Sequence, residues 1–361
     1  MHEADVAAGA LSRAVDLVTA RCGAARGLAA QICVVHDGRN VLDRAFGCRP
    51  DDLFWIFSTS KPFAALMVHL LAQRGALSLD DRVAAHWPEF AGHGKEAITI
   101  RHVLQHRSGL PAARSAAEDA LVMTDWNRSI RRIELARPRY RPGQVPAYHY
   151  LTYGFILGEL VRRVTGRALP EFLASEFLRP LSLDGDIHLG LPGDLWPRHV
   201  PVRGRGQAGR ITQAVVNRRR TRQAIIPAAG ISASARELAR FYQALLQGGE
   251  LDGARILRPE TIAEATRPSS EHEVDRFLGM RIRWSHGFQL GGPAPAEAAT
   301  HPMGRLSGRA TFGHNGSNAC LAWADPARRL VMVYLTNLIR SGPEGARHQS
   351  EVSDAVLTAC P

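Results

Sequence analysis

Residues 57–63 read Phe57-Ser58-Thr59-Ser60-Lys61-Pro62-Phe63, and Lys61 is one of two lysines among 361 residues, the other being Lys95. Lysine and arginine together number 45, so nearly every cation is an arginine. A chain this averse to lysine uses arginine wherever a plain positive charge suffices. Lysine can shed its proton when buried and act as a base, which arginine effectively cannot. Ser58-x-x-Lys61 is therefore the first candidate for a nucleophile with its activating amine. Beyond it, Phe63, Leu66, Met67 and Leu70 recur at helical spacing, which predicts a helix from Pro62 to Leu71. Proline is harmless in a first turn. Ser58 then sits at the helix start, where its N–H is unpaired and the dipole favours negative charge. Lys61 projects from the same face one turn on.

Composition sets the class. With 45% hydrophobic and 22% charged residues, 33 glycines and 21 prolines, this is a soluble globular chain able to bury a sizeable core. Its length suits one large or two intimately joined domains. No apolar run approaches a membrane-spanning length, so no membrane partner is expected. Glu3 and Asp5 stand where a signal peptide would be basic, and Ala7 to Cys22 reads as an amphipathic helix with Leu11, Val15 and Val18 on one side. Cysteines 22, 33, 48, 320 and 360 are odd in number and lack paired spacing. They read as reduced, mostly buried thiols, and the expected location is cytoplasmic.

The net charge of +11 is uneven. From Leu195 to Arg222 there are eight arginines (198, 203, 205, 210, 218, 219, 220 and 222) and no acid. The plain expectation is a solvated, flexible surface loop. The sharper one is a loop at the mouth of a site, drawing in a substrate that carries phosphate or carboxylate. No aromatic residues are interleaved for stacking bases and no zinc finger is present, so no nucleic-acid partner is expected. Gly204-Arg205-Gly206-Gln207-Ala208-Gly209 has the form G-x-G-x-x-G, but no convincing strand precedes it and the next acid, Glu237, comes too late for a dinucleotide site. No Walker loop, H-E-x-x-H, C-x-x-C or G-x-S-x-G occurs, so no cofactor and no metal are expected.

Strand signals lie at both ends. Ala30–Val35 and Val41–Phe46 flank His36-Asp37-Gly38-Arg39-Asn40 as a hairpin. His286–Leu290, Ala319–Ala324 and Leu330–Leu335 are strands in the last third, the final two joined by a turn at Asp325-Pro326. Between them lie helix patterns at Asp80–Ala85, Thr99–Gln105, Thr152–Val164, Pro170–Phe177 and Ser234–Gln247. The last begins with the capping box Ser234-x-x-Glu237. Gln349–Cys360 reads as a closing helix. The expected fold is α+β: one antiparallel sheet built from both termini and flanked by helices (residues 1–76 and 225–361), with a mainly helical domain, 77–224, inserted. Sites favour the crevice between such domains.

Three segments can meet there: Ser58–Lys61; Pro142-Gly143 with Tyr148-His149-Tyr150; and Gly313-His314-Asn315-Gly316-Ser317. Read alone, Tyr148 also fits a core aromatic and His314 a turn histidine. Together, and in this order, they resemble the serine β-lactamase and penicillin-binding-protein superfamily, nearest the class C β-lactamase-like carboxylesterases and transacylases. Further matching segments are Thr99–Pro111, which holds His106-Arg107-Ser108-Gly109-Leu110, then Tyr153-Gly154 to Gly166, and Ala228-Ala229-Gly230 to Ala235.

The resemblance implies a β-lactamase/transpeptidase-like fold and a set of roles. Ser58 attacks an acyl carbonyl. Lys61 and Tyr148 share the proton work, with neighbouring positive charge lowering both pKa values. The N–H groups of Ser58 and Ser317 form the oxyanion hole. His314, Gly316, His149 and Tyr150 line the site. Two departures speak against lactam chemistry: Tyr150 stands where the family pattern has Asn, and His314-Asn315-Gly316 replaces Lys-Thr-Gly, removing a fixed cation. The resulting expectation is a serine enzyme acting on a small-molecule acyl substrate, hydrolysing an ester or amide. A transacylase using an amine or alcohol acceptor is the alternative. A β-lactamase, a D,D-peptidase and a catalytically silent binding protein are lesser ones.

Overall fold

The computed structural model describes residues 10–22, 27–292, 301–340 and 343–361. Glu3, Asp5 and positions 7–9 of the first expected helix lie outside the described residues. Strands β1 (Ala30–His36) and β2 (Arg39–Phe46) form the hairpin. Asp37 and Gly38 turn it with φ of 50° and 76°, the left-handed region that Gly reaches freely and Asp tolerates. The remaining strands of the main sheet come late: β3 (Gln289–Leu290), β4 (Phe312–Gly316), β5 (Cys320–Asp325) and β6 (Leu330–Thr336). The order is β2-β1-β6-β5-β4-β3, every neighbour antiparallel, with Ala30 opposite Thr336 and His36 opposite Leu330. Both ends of the chain thus share one sheet, as the α+β expectation requires.

Alternation along the strands assigns the two faces. Ile32, Val34, Leu321, Trp323, Met332 and Tyr334 pack under α1 (Ser12–Cys22) and the closing helix, which spans Pro343–Ala359. Cys33, Val35, Ala322, Ala324, Val331 and Val333 face the main core, where α2 (Lys61–Gln73) and the Ala235–Leu246 helix lie. The α2 helix is buried from Lys61 to Leu71, and its Phe63 stacks on Phe241 at 4.3 Å. A second small sheet positions its entry. Phe54–Trp55 pairs with Ile231–Ala233, which pairs with Ile187–Leu189.

Several elements differ from expectation. The strand read at His286–Leu290 shrinks to Gln289–Leu290, because Ser285 Oγ accepts the Phe288 N–H and closes a turn there. The helix read at Asp80–Ala85 is Val83–His86, since Asp81 turns back to accept the Ser78 N–H. The Pro170–Phe177 helix runs as Leu169–Leu173 into a wider coil, Ala174–Leu178.

The largest difference is the arginine-rich stretch, which is ordered rather than a flexible loop. It forms helices Gly206–Val216 and Arg219–Gln223. Arg222 is fully buried, donating to the Val216 and Val200 carbonyls, with its guanidinium 5.4 Å from the Trp55 ring. A short strand does precede the glycine motif: Arg203–Gly204 pairs in parallel with Leu338–Ile339. Gly204 and Gly209 serve packing, for a Cβ on Gly204 would fall 1.9 Å from the Gly209 carbonyl oxygen. No described helix is long and apolar enough to cross a membrane.

Candidate active site

Ser58 sits in one 3₁₀ turn, Phe57–Ser60, that feeds directly into α2. Phe57 before it is left-handed, φ 50°, a conformation that costs a non-glycine residue roughly 1–2 kcal/mol. The surroundings hold it there. Thr59 Oγ1 donates to the His314 carbonyl at 3.2 Å, tying the turn to β4. Gly316 packs so closely that a Cβ would lie 2.2 Å from the Ile56 carbonyl oxygen, which is why this position takes no side chain. Ser60 faces elsewhere, its hydroxyl accepting the Ile231 N–H.

Two groups converge at Ser58 Oγ. Tyr148 Oη lies 2.7 Å away and donates to it. Lys61 Nζ lies 3.2 Å away, and also 2.9 Å from the Tyr150 carbonyl and 3.3 Å from the Ala228 carbonyl. Lys61 is 1% exposed, and burial holds its amine well below the usual lysine range. A neutral amine has two hydrogens and one lone pair. In the neutral form the two hydrogens would satisfy the two carbonyls and leave the lone pair facing Ser58 Oγ. Sequence reading expects positive charge to lower both Lys61 and Tyr148. Lys61 is lowered by burial instead, and Tyr148 moves the other way: burial pushes its phenol up, against the pull of its bond to Ser58. Tyr148 is thus a protonated donor in this arrangement.

Tyr148 itself is held from behind. Its ring stacks on Trp284 at 5.4 Å and its N–H donates to buried Asp275. His149 follows it, fully buried, but its ring bonds to neither Ser58 nor Lys61. The His149 N–H donates to His106 Nδ1 at 3.1 Å, which makes that nitrogen an acceptor. His149 Nδ1, 3.0 Å from the same atom, therefore carries the proton. Its Nε2 then accepts from Ser108 Oγ at 2.5 Å. His149 supports the segment rather than lining the site. Tyr150 contributes its carbonyl to Lys61, while its side chain is partly exposed.

His314 is 2% exposed and its ring lies 6.2 Å from that of Tyr148. Its Nδ1 donates to the Asn315 carbonyl at 2.8 Å, so Nε2 keeps a lone pair; that atom is buried with no partner among the described residues. Burial above all brings His314 down to about 3, so it is neutral. Ser317 is exposed just beyond β4, with φ 53°. Among the described residues, neither the Ser58 nor the Ser317 N–H bonds to a backbone carbonyl outside its own element.

Sequence reasoning missed Asp275 and Trp284, which lie in a stretch without periodic or motif signal. It quoted His106 and Ser108 only as part of a matching segment. Their polar types inside that segment were the available clue.

The beta-lactamase family's sequence profile matches residues 15–356. Esterase/beta-lactamase LipL of Mycobacterium tuberculosis (strain ATCC 25618 / H37Rv) is 30% identical over 353 residues, covering 86% of this chain and 77% of its own. Among solved structures, a family VIII carboxylesterase is similar with a TM-score of 0.81 at 29% identity, over 95% of this chain and 96% of that one. A penicillin-binding protein homologue from Caulobacter crescentus is similar with a TM-score of 0.81 at 28% identity, over 97% of each chain. These matches span nearly the whole sequence, and the chain belongs to the beta-lactamase family.

Proposed function

We propose that the protein is a serine acyl-transfer enzyme that hydrolyses a carboxylic ester or amide through an acyl-Ser58 intermediate. The observation that carries this reading is Ser58 Oγ between Tyr148 Oη at 2.7 Å and Lys61 Nζ at 3.2 Å, with Lys61 lowered by burial. Neutral Lys61 takes the Ser58 proton as Oγ bonds to the acyl carbon. The N–H groups of Ser58 and Ser317 stabilise the oxyanion, a contribution of roughly 3–4 kcal/mol per donor in such sites. As the bond to the leaving oxygen or nitrogen breaks, the proton passes from Lys61 through Tyr148 to that atom. Water then attacks the acyl carbon, returning Ser58 and a carboxylic acid.

The esterase names among the relatives support this choice. Tyr150 and His314, in place of an amide and a cation, weigh against β-lactams as the main substrate. The five cysteines are free thiols, which supports a reducing, cytoplasmic setting.

A transfer reading shares the acylation step and differs only in the acceptor. The bare His314 Nε2 can accept a hydrogen bond from an alcohol or amine as readily as from water. Product analysis with p-nitrophenyl butyrate, with and without an added primary amine, tests both. Free butyrate that Ser58→Ala abolishes supports the hydrolase. Amide formed at the expense of butyrate supports the transacylase. Nitrophenol release that is indifferent to Ser58→Ala overturns both.

A further inference from the structure

A cavity of about 250 Å³ opens between residues 120–125 with Arg128 on one wall and Val215, Arg218, Arg220 and Thr221 on the other. Its charge is one-sided. Three arginines line it against a single acid, Asp125, whose carboxylate is already engaged by the Arg128 N–H at a helix start. Neighbouring arginines have structural partners. Arg198 pairs with Asp186, Arg219 donates to the Gly193 carbonyl, Arg132 donates to the Glu118 carbonyl, and Arg131 pairs with Glu134. Among the described residues, Arg128, Arg218 and Arg220 form no ion pair. The cavity is also apolar where it is not cationic, through Val122, Met123 and Val215, and Leu121 at its rim is 80% exposed. Cations without counter-ions beside uncovered apolar surface suit a ligand with an apolar body and an acidic end.

Both walls are joined along the chain to carbonyls that bond Lys61. Val122 packs with Leu151 and Thr152 around an adjoining void, and Leu151 follows Tyr150, whose carbonyl takes a Lys61 hydrogen. On the other wall, Thr221 precedes Arg222, which lies over Trp55 on the entry to Ser58, and the chain continues to Ala228, whose carbonyl takes the second. Resting on the acyl-transfer reading above, we infer that this cavity receives the carboxylate or phosphate end of the acyl substrate, so that the enzyme prefers acidic over neutral acyl groups of equal length.

The test compares mono-p-nitrophenyl adipate with p-nitrophenyl hexanoate on the full-length protein. The wild type favours the adipate in kcat/KM, and that preference falls as salt rises, because screening weakens the attraction. The double variant Arg218→Ser/Arg220→Ser lowers the adipate-to-hexanoate ratio about tenfold, through KM. Leu121→Glu, which places a like charge at the rim, lowers the same ratio. Hexanoate and hexyl phosphate both inhibit better than hexanamide, and the tighter of the two names the preferred anion. Equal turnover of both esters, a ratio unmoved by the double variant, or inhibition no better than by hexanamide overturns the assignment. Failure of the wild type to turn over either ester overturns the acyl-transfer reading instead.

Discussion

Both carboxylate oxygens of Asp275 lie on the backbone nitrogen of Tyr148, at 3.1 and 2.9 Å. The same buried carboxylate accepts the Trp284 indole N–H at 3.0 Å, and Trp284 is the ring that stacks on Tyr148. One side chain thus sets the backbone and the packing surface of the tyrosine that contacts Ser58. Asp275→Ala strands two buried donors, each costing about 1–3 kcal/mol. The expected outcome is a clear loss in melting temperature and a kcat that falls more than KM rises. Asp275→Asn, which keeps an acceptor oxygen, recovers part of kcat. A kcat for Asp275→Ala equal to the wild type contradicts this positioning role.

Lys61 is read as a neutral base, not a fixed cation. Lys61→Arg keeps the charge but cannot deprotonate, so it is expected to be nearly as damaging as Lys61→Ala, with more than about a tenfold loss of kcat/KM, equivalent to about 1.4 kcal/mol. Burial lowers the amine from 10.5, so the acylation rate is expected to rise with pH through a midpoint below that value and then level off. Stopped-flow acylation across pH checks both points. An arginine variant keeping a tenth or more of the activity reduces Lys61 to a cation.

The buried histidines make the fold acid-sensitive. Burial lowers His69 from 6.5 to about 4, and His149 and His314 from 6.5 to about 3. Their folded values lie below the unfolded one, so the unfolded chain binds more protons in between. The stability they contribute is complete above about pH 6.5 and is lost as pH falls toward 4 and then 3. Denaturant titrations from pH 7 to 4 are expected to show a steady fall, and His69→Gln a shallower one. A flat profile, or the same slope in His69→Gln, contradicts this.

Lactam turnover separates this chain from the lactamases it resembles. With the buried, neutral His314 where that family's pattern has a lysine, no fixed cation holds a lactam carboxylate at this position. Nitrocefin is expected to be hydrolysed with a catalytic efficiency at least about a hundredfold below that of a good p-nitrophenyl ester, a difference of roughly 2.7 kcal/mol. Comparable efficiencies contradict it.

The sheet and its partner helices were legible because their signals are local. Short apolar runs mark β1 and β6, Asp325 takes the Ala327 and Arg328 N–H groups in the turn between β5 and β6, and Ser234 caps its helix by accepting the Glu237 N–H. Ser58, Lys61 and Tyr148 were legible because lysine is so rare here and because the motifs come in a familiar order. What was not legible depends on distant partners. Arg222 reads as one more surface arginine until Val200 and Trp55 enclose it. Asp275 reads as a loop acid until Tyr148, 127 residues away in sequence, donates to it. The shift on Tyr148 was misjudged because nearby charge can be read from a sequence, whereas burial depends on how the chain packs.

The central claim is a covalent acyl-Ser58, and intact mass after a brief incubation with p-nitrophenyl esters tests it most directly. The account predicts that the wild type gains one acyl group, localised by peptide mapping to the peptide containing Ser58. Ser58→Ala is predicted to gain none while remaining folded. Ser60→Ala, which loses a hydroxyl that accepts the Ile231 N–H, is predicted still to acylate. Acylation persisting in Ser58→Ala, or lost equally in both variants, would contradict it.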